Sequence, residues 1–132
     1  MRNLNPDEIY DQVVAIDKQS KLYHNSKLSN IVFMGMGEPL MNYNNVIKSI
    51  DKITSPEGLG MSSKIITVST SGIPKIIKKM ADDQVKFNLA VSLHSAIDSV
   101  RTSIMQFNET FPLKDLGAVS YTHLTLPTIL LV

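Results

Sequence analysis

Short apolar runs alternate with amphipathic helical stretches along this sequence, and that order constrains the fold more than any other feature. Residues 30–34, 64–69 and 87–91 are rich in β-branched or alternating apolar side chains, as expected of strands. The intervals between these runs are too long for hairpins, and each interval carries a helical pattern where a crossover belongs. The sequence therefore predicts an α/β fold whose strands pair in parallel.

Helix-start signals and apolar periodicity predict four helices around these strands. The first begins with Asn5 as a cap, Pro6 at the first helical position and Glu8 completing a capping box, and its periodicity runs to about residue 18. The others are expected over residues 44–54, from Pro74 onward, and over residues 97–105.

The first predicted strand, residues 30–34, is almost wholly apolar, which predicts a strand buried on both faces. Three strands cannot close a barrel or cover both edges of a sheet. The pattern by itself therefore leaves two architectures open, a small open sheet and a part of a larger one.

Charge and cysteine content exclude several functions. The 132 residues carry a net charge of +1, so no long-range field marks the chain as a nucleic-acid or membrane binder. The absence of cysteine excludes disulfides, thiolate metal sites and iron–sulfur ligation by this chain alone, and no metal ligands are predicted. No apolar run reaches the roughly 18 residues that span a bilayer, and residues 1–11 lack the basic start and apolar stretch expected of a signal peptide. These features predict a cytoplasmic protein.

Polar residues follow each predicted strand, at the edge of the sheet where parallel α/β folds bind ligands. After the first strand, Gly37 allows close backbone approach and Glu38 offers a carboxylate to a ligand ammonium. Residues 69–72 supply hydroxyls and amides suited to a ligand carboxylate or ribose, and residues 92–94 form the third cluster. Each cluster alone has a structural interpretation, as a turn, a helix cap or a hydrogen-bonded histidine. Because all three follow consecutive parallel strands, they are predicted to face one pocket.

Residues 30–40, with Asn42 after them, resemble the signature of RlmN-type radical S-adenosylmethionine (SAM) RNA methyltransferases and their relative Cfr. Residues 66–72 and 89–94 agree with the same family in order and spacing. The similarity runs from about residue 2 to residue 116. It implies a partial (βα) barrel of the radical SAM type, which binds SAM and a [4Fe-4S] cluster.

The resemblance also implies roles for individual residues and a substrate class. Gly37 and Glu38 would hold the amino group of SAM. The remaining SAM contacts carried over from the family are Ser69, Ser92, Leu93 and His94. The implied reaction is methylation of adenine C2 in 23S rRNA and tRNA. A Cfr-type reaction at adenine C8 remains an alternative, and so does a small non-catalytic α/β binding module.

Several departures from the family pattern limit what this chain alone is expected to do. The three cluster cysteines of the family would lie before Met1, so we predict an internal fragment with no catalytic residue and no radical chemistry of its own. Arg2 and Arg101 are its two arginines, too few to predict RNA binding by this piece.

Residues 118–132 differ abruptly in composition from residues 1–117, since they contain no Asp, Glu, Lys or Arg and end in an apolar run. Residues 119–128 resemble a translation of the transposase mosaic end used in sequencing-library preparation. We therefore predict that residues 1–117 are part of a radical SAM core domain and that residues 118–132 are adapter read-through. The alternative is a native edge strand rich in Thr and Leu.

Overall fold

The computed structural model describes residues 2–34, 36–123 and 129–131. Helices and strands alternate along most of the chain. In order they are α1 Pro6–His24, β1 Ile31–Phe33, α2 Tyr43–Thr54, β2 Ile66–Thr70, α3 Pro74–Asp82, β3 Asn88–Val91, α4 Asp98–Ile104, α5 Leu113–His123 and β4 Ile129–Leu131.

The described strands form one parallel sheet in the order β1-β2-β3-β4, which confirms the predicted α/β fold. In its register Val68 lies beside Leu89, and Thr70 lies beside Val91. Because all strands run the same way, the loops after β1, β2 and β3 meet at one edge of the sheet. This edge is where the predicted polar clusters were expected.

The hydrophobic core is built from the central strands and from the apolar faces of the helices that connect them. Ile66 and Val68 of β2 are fully buried, as are Ile53 of α2 and Ile77 of α3. The 3.6-residue period of α2 and α3 turns their apolar residues inward and leaves their lysines on the outside. The core thus packs against β2 and β3. The polar clusters that follow these strands, residues 69–72 and 92–94, form the middle of the carboxyl edge of the sheet, here called the polar edge.

The first strand and the first helix differ from their predictions. β1 was predicted to be buried on both faces, which is wrong because Val32 at its centre is 43% exposed. β1 lies at one edge of the described sheet and has one neighbouring strand, whereas β2 lies between β1 and β3. α1 continues past the predicted residue 18 to His24, where Asn25 in a left-handed conformation ends it and donates its N–H to Lys21 O.

The structure adds a fifth α-helix and a fourth strand, where the sequence predicted four and three. α5 buries Leu116, and β4 pairs with β3 through Ile129 opposite Leu89. Residues 124–128, inside the proposed adapter segment, lie outside the described residues. The separate origin of residues 118–132 stays a prediction. Of the helices that the structure describes, none combines the length and the apolar character needed to cross a membrane.

Candidate functional site

A cleft of about 400 Å³ lies at the carboxyl ends of β1, β2 and β3. Five of the six predicted site residues line it, which brings together all three polar clusters. The lining residues are Met34, Gly37, Glu38, Pro39, Ser69, Thr70, Ser71, Ser92, His94, Met105 and Gln106. Leu93 is outside the lining, since its side chain packs against the core.

A second cavity of about 400 Å³ lies beside α2 and α3, lined by several asparagines and Lys79. It contains none of the predicted site residues. We assign the candidate site to the cleft at the strand ends, because ligand-binding groups of parallel α/β folds collect there.

The carboxylate of Glu38 is the most heavily hydrogen-bonded group in the cleft. Its Oε1 accepts from Leu40 N at 3.0 Å and from the Thr70 hydroxyl at 2.6 Å. Its Oε2 accepts from the backbone N and the hydroxyl of Ser71, at 2.8 and 2.7 Å. Two donors on each oxygen use most of the acceptor capacity of a carboxylate. Glu38 therefore ties the loop after β1 to the loop after β2 and is held in one orientation.

Gly37 precedes this carboxylate with a φ of +120°, a conformation that side-chain-bearing residues rarely adopt. No atom lies within 4 Å of the position a Cβ would take. Glycine is therefore required for the backbone conformation that directs Glu38 toward β2, and the space around Gly37 is open. Gly35 lies outside the described residues.

His94 is held in a tight turn at the end of β3. Its φ is +59°, and Ser95 N donates to Leu93 O at 2.7 Å across it. A left-handed conformation is uncommon for a residue with a side chain and persists only where its surroundings hold it. The turn exposes the imidazole at the cleft, beside Ser92.

Arg101 of α4 is buried behind the cleft and hydrogen-bonds the loops that form its walls. The side chain is 1% exposed, and its Nε donates to Leu93 O at 3.1 Å. One terminal nitrogen donates to Ser71 O at 2.6 Å, and the other donates to Phe111 O at 3.3 Å and to the side chain of Asn108. The guanidinium thus joins the loop after β2 to the loop after β3.

Asp98 and Asn108 complete the surroundings of this guanidinium. Burial lowers the pKa of Arg101, and the negative charge of Asp98 opposes that effect. The Asn108 amide donates to Asp98 Oδ1 at 3.0 Å and to Thr102 Oγ1 at 2.8 Å. Leu113 N donates to Asp98 Oδ1, and with Asn108 it lowers the pKa of that carboxyl. The amide of Asn108 is therefore fixed with its oxygen toward Arg101.

Sequence reasoning missed Thr70, Ser71 and Arg101 as site residues. Residues 69–72 were recognised as a polar cluster, but which of their groups face Glu38 depends on the sheet register. The sequence carried no signal for Arg101, because its burial and its partners are seen only in the structure.

The comparison with solved structures identifies the class of protein to which this fold corresponds. A crystal structure of a radical SAM methyltransferase from Sphaerobacter thermophilus superposes with a TM-score of 0.86 and 37% sequence identity. The match covers 90% of this chain and 35% of that one. The sheet, helices and cleft described above therefore form part of a radical SAM methyltransferase fold.

Two curated relatives show which kind of methyltransferase this chain is similar to. Proteins named "Probable dual-specificity RNA methyltransferase RlmN" from Christiangramia forsetii and Flavobacterium johnsoniae are 77% and 78% identical over 116 residues. Each alignment covers 88% of this chain and 33% of the relative, so the chain spans about a third of their length. No protein-family model matches the chain. The predicted resemblance to RlmN-type sequences is confirmed over most of this chain.

Proposed function

We propose that the cleft binds SAM and supplies this part of the SAM site in an RlmN-type RNA methyltransferase. The observation that carries the proposal is the Glu38 carboxylate, fixed by four hydrogen bonds at the wall of the cleft. These bonds fix the carboxylate beside the cleft, where its charge would attract a ligand ammonium. The high identity to proteins named RlmN supports the same assignment.

The remaining cleft groups complement the rest of SAM. Gly37 leaves its backbone open beside Glu38, and Ser69 and Ser92 offer hydroxyls to a ligand carboxylate or ribose. His94 adds a ring nitrogen at the third wall. A volume of about 400 Å³ lies within the usual range for small-molecule sites. Leu93 lies between Ser92 and His94 in the chain, and its proposed contribution to SAM binding is to position these two lining residues.

The residues of this chain do not fit a [4Fe-4S] cluster. The sequence contains no cysteine, and the described residues include no group of three or more His, Asp or Glu side chains placed to hold a metal. We therefore assign no step of electron transfer to this chain. The role proposed for its residues is to bind and orient SAM.

The proposed substrates of the whole enzyme are adenines in 23S rRNA and tRNA, methylated at C2 in the cytoplasm. The names of the relatives favour this reaction over Cfr-type methylation at C8. Neither arginine supports RNA binding by this segment alone, because Arg2 pairs with Glu8 and Arg101 is buried. Recognition of RNA is proposed for other parts of the relatives' length.

Calorimetric titration of the purified chain with SAM tests the proposal. Glu38→Gln keeps the size of the side chain but removes its charge, and we expect SAM affinity to fall about 10- to 100-fold, as for a lost charge-assisted hydrogen bond. Ser69→Ala should weaken binding less. Glu57→Gln, which removes a carboxylate from an exposed loop, is the matched control and should bind SAM as the wild type does.

A truncated ligand separates this function from that of a general binding module. Methylthioadenosine lacks the amino-acid end of SAM, so wild-type chain should bind it more weakly, and Glu38→Gln should bind the two ligands with nearly equal affinity. If Glu38→Gln lost affinity for both ligands alike, the role proposed for this carboxylate would be wrong. If the wild type bound neither ligand, the non-catalytic module would be favoured.

A further inference from the structure

A continuous line of hydrogen bonds connects Arg101 to Glu38. Arg101 donates to Ser71 O at 2.6 Å, and the N–H on the other side of that peptide, from Gly72, donates to the Thr70 hydroxyl oxygen at 3.0 Å. The Thr70 hydroxyl then donates to Glu38 Oε1 at 2.6 Å. Every donor in the line points toward the carboxylate. A buried cation and the cleft's anion are thereby joined through one peptide and one hydroxyl.

The surroundings of this line strengthen it. Arg101 is 1% exposed and Thr70 is 2% exposed, so water does not compete for the groups between the two charges. Hydrogen bonds in series polarise one another, most strongly where the local dielectric is low. A guanidinium on the peptide oxygen makes the Gly72 N–H a better donor to Thr70. The Thr70 hydroxyl in turn becomes a better donor to Glu38.

Gly72 is required at the middle of the line. Its φ is +96°, and a Cβ there would lie 2.9 Å from Leu116 Cδ1 of α5. This conformation turns the Gly72 N–H back onto the Thr70 hydroxyl, two residues earlier. The backbone conformation at Gly72 thus keeps the line of hydrogen bonds continuous. A helix that begins at Pro74 does not by itself require this conformation.

We propose that Arg101 is a positioning residue for the Glu38 carboxylate, acting through the Ser71–Gly72 peptide and the Thr70 hydroxyl. The same guanidinium holds Leu93 O, so it also sets the distance between the loops after β2 and β3. All three of its nitrogens are engaged, which leaves Arg101 to act on the ligand only through these loops. The expected effect of Arg101 on SAM binding rests on the function proposed for the cleft.

Two variants interrupt the line at different places. Thr70→Val keeps the shape of the side chain and removes the hydroxyl, while Thr70→Ser restores the hydroxyl and is the conservative rescue. Arg101→Lys keeps the charge and loses the forked geometry that reaches two loops. Met80→Ala, in the core of α3 and away from the cleft, is the control for a general loss of stability.

The first readout needs no ligand. In NMR spectra of the whole chain, Arg101→Lys should move the Gly72 amide proton upfield and speed its hydrogen exchange, although its acceptor Thr70 is unchanged. Thr70→Ser and Met80→Ala should leave this resonance close to its wild-type position. An unaltered Gly72 amide in Arg101→Lys would overturn the inference.

The second readout is SAM affinity at a temperature where every variant is folded. Arg101→Lys and Thr70→Val should each weaken binding about tenfold, and the double variant should be little worse than either single one, since both interrupt one line. Thr70→Ser should recover most of the affinity. Additive losses in the double variant would show that the two residues act separately. Losses matched by Met80→Ala would show that a general loss of stability causes them, and either result would overturn the inference. A wild-type chain that fails to bind SAM would refute the proposed function, whereas the Gly72 amide would still decide whether the line exists.

Discussion

Charged side chains stand in two contrasting settings in this molecule. At the carboxyl edge of the sheet, Arg101 is 1% exposed and reaches Glu38 only through neutral groups. Around α1, Arg2 and Lys52 pair directly with carboxylates, yet their side chains are 70% and 50% exposed. The direct ion pairs belong to the setting where water and salt screen them, and the indirect connection between charges belongs to the setting where they do not.

The contrast separates two uses of charge. An exposed pair gains little, because water solvates its members almost as well when they are apart. A buried guanidinium must be satisfied by several acceptors, and removing it takes a charged donor away from each of them in a dry environment. The polar edge should therefore depend on its charged residues for stability, while the α1 surface should tolerate their loss.

The largest expected effect follows from removing the buried cation. Arg101→Met fills a similar volume but removes the guanidinium's hydrogen bonds to Ser71 O, Leu93 O and Phe111 O, and we expect unfolding to require about 3 to 5 kcal/mol less free energy. Urea unfolding followed by circular dichroism measures this loss. Lys52→Met removes a cation from an exposed pair and should shift the urea midpoint far less. Equal shifts in the two variants would remove the distinction between the settings.

A smaller effect is expected from the backbone of the polar edge. Gly72→Ala combines a left-handed conformation with a Cβ 2.9 Å from Leu116, and overpacking of this kind costs about 1 to 3 kcal/mol. Gly37→Ala meets the backbone strain alone, since the space around it is open. Thermal unfolding of both variants should show the larger loss for Gly72→Ala. A larger loss for Gly37→Ala would indicate that strain, and not the packing of α5, dominates at this edge.

The sequence predicted the layout of the polar edge but not its connections. The strands, their parallel pairing and the shared edge follow from local patterns, since each strand and each polar cluster is contiguous in the chain. The partners of Glu38 are Thr70 and Ser71, more than thirty residues away, and their choice depends on the register of β1 against β2. Periodicity carries no information on such pairings, so no role in the site was predicted for Arg101.

The same limit explains the errors in the outer elements. An apolar run predicts a strand but not its place in the sheet, so Val32 was expected to be buried although β1 lies at an edge. α5 has a weak apolar period, and its assignment depends on Leu116 packing over Gly72. Patterns within one segment thus predicted the segment's type, and contacts between segments decided its environment.

The smallest expected effect is an acid dependence from the exposed setting. The Arg2 guanidinium and the Asn5 N–H lower the pKa of Glu8 from its ordinary value of 4.5 to about 2. Because the folded-state pKa is the lower one, the stabilisation is complete above the ordinary value and is lost as pH falls from about 4.5 to about 2. Glu8→Gln should remove this pH-dependent stabilisation. The urea midpoint of the variant should therefore fall less steeply with acid than that of the wild type.

Salt distinguishes this effect from the acid dependence of Asp98, an exposed carboxylate held by neutral hydrogen-bond donors. The pKa of Asp98 is also lowered, chiefly by the Leu113 N–H, so Asp98→Asn should reduce the acid dependence as well. Added salt at about 1 M, where the screening length is about 3 Å, should weaken the difference between wild type and Glu8→Gln. The difference made by Asp98→Asn should persist, since its partners are hydrogen-bond donors of the backbone and of Asn108. If salt abolished both differences equally, the neutral hydrogen bonds of Asp98 would be as sensitive to screening as the ion pair of Glu8, and the expected distinction between them would be wrong.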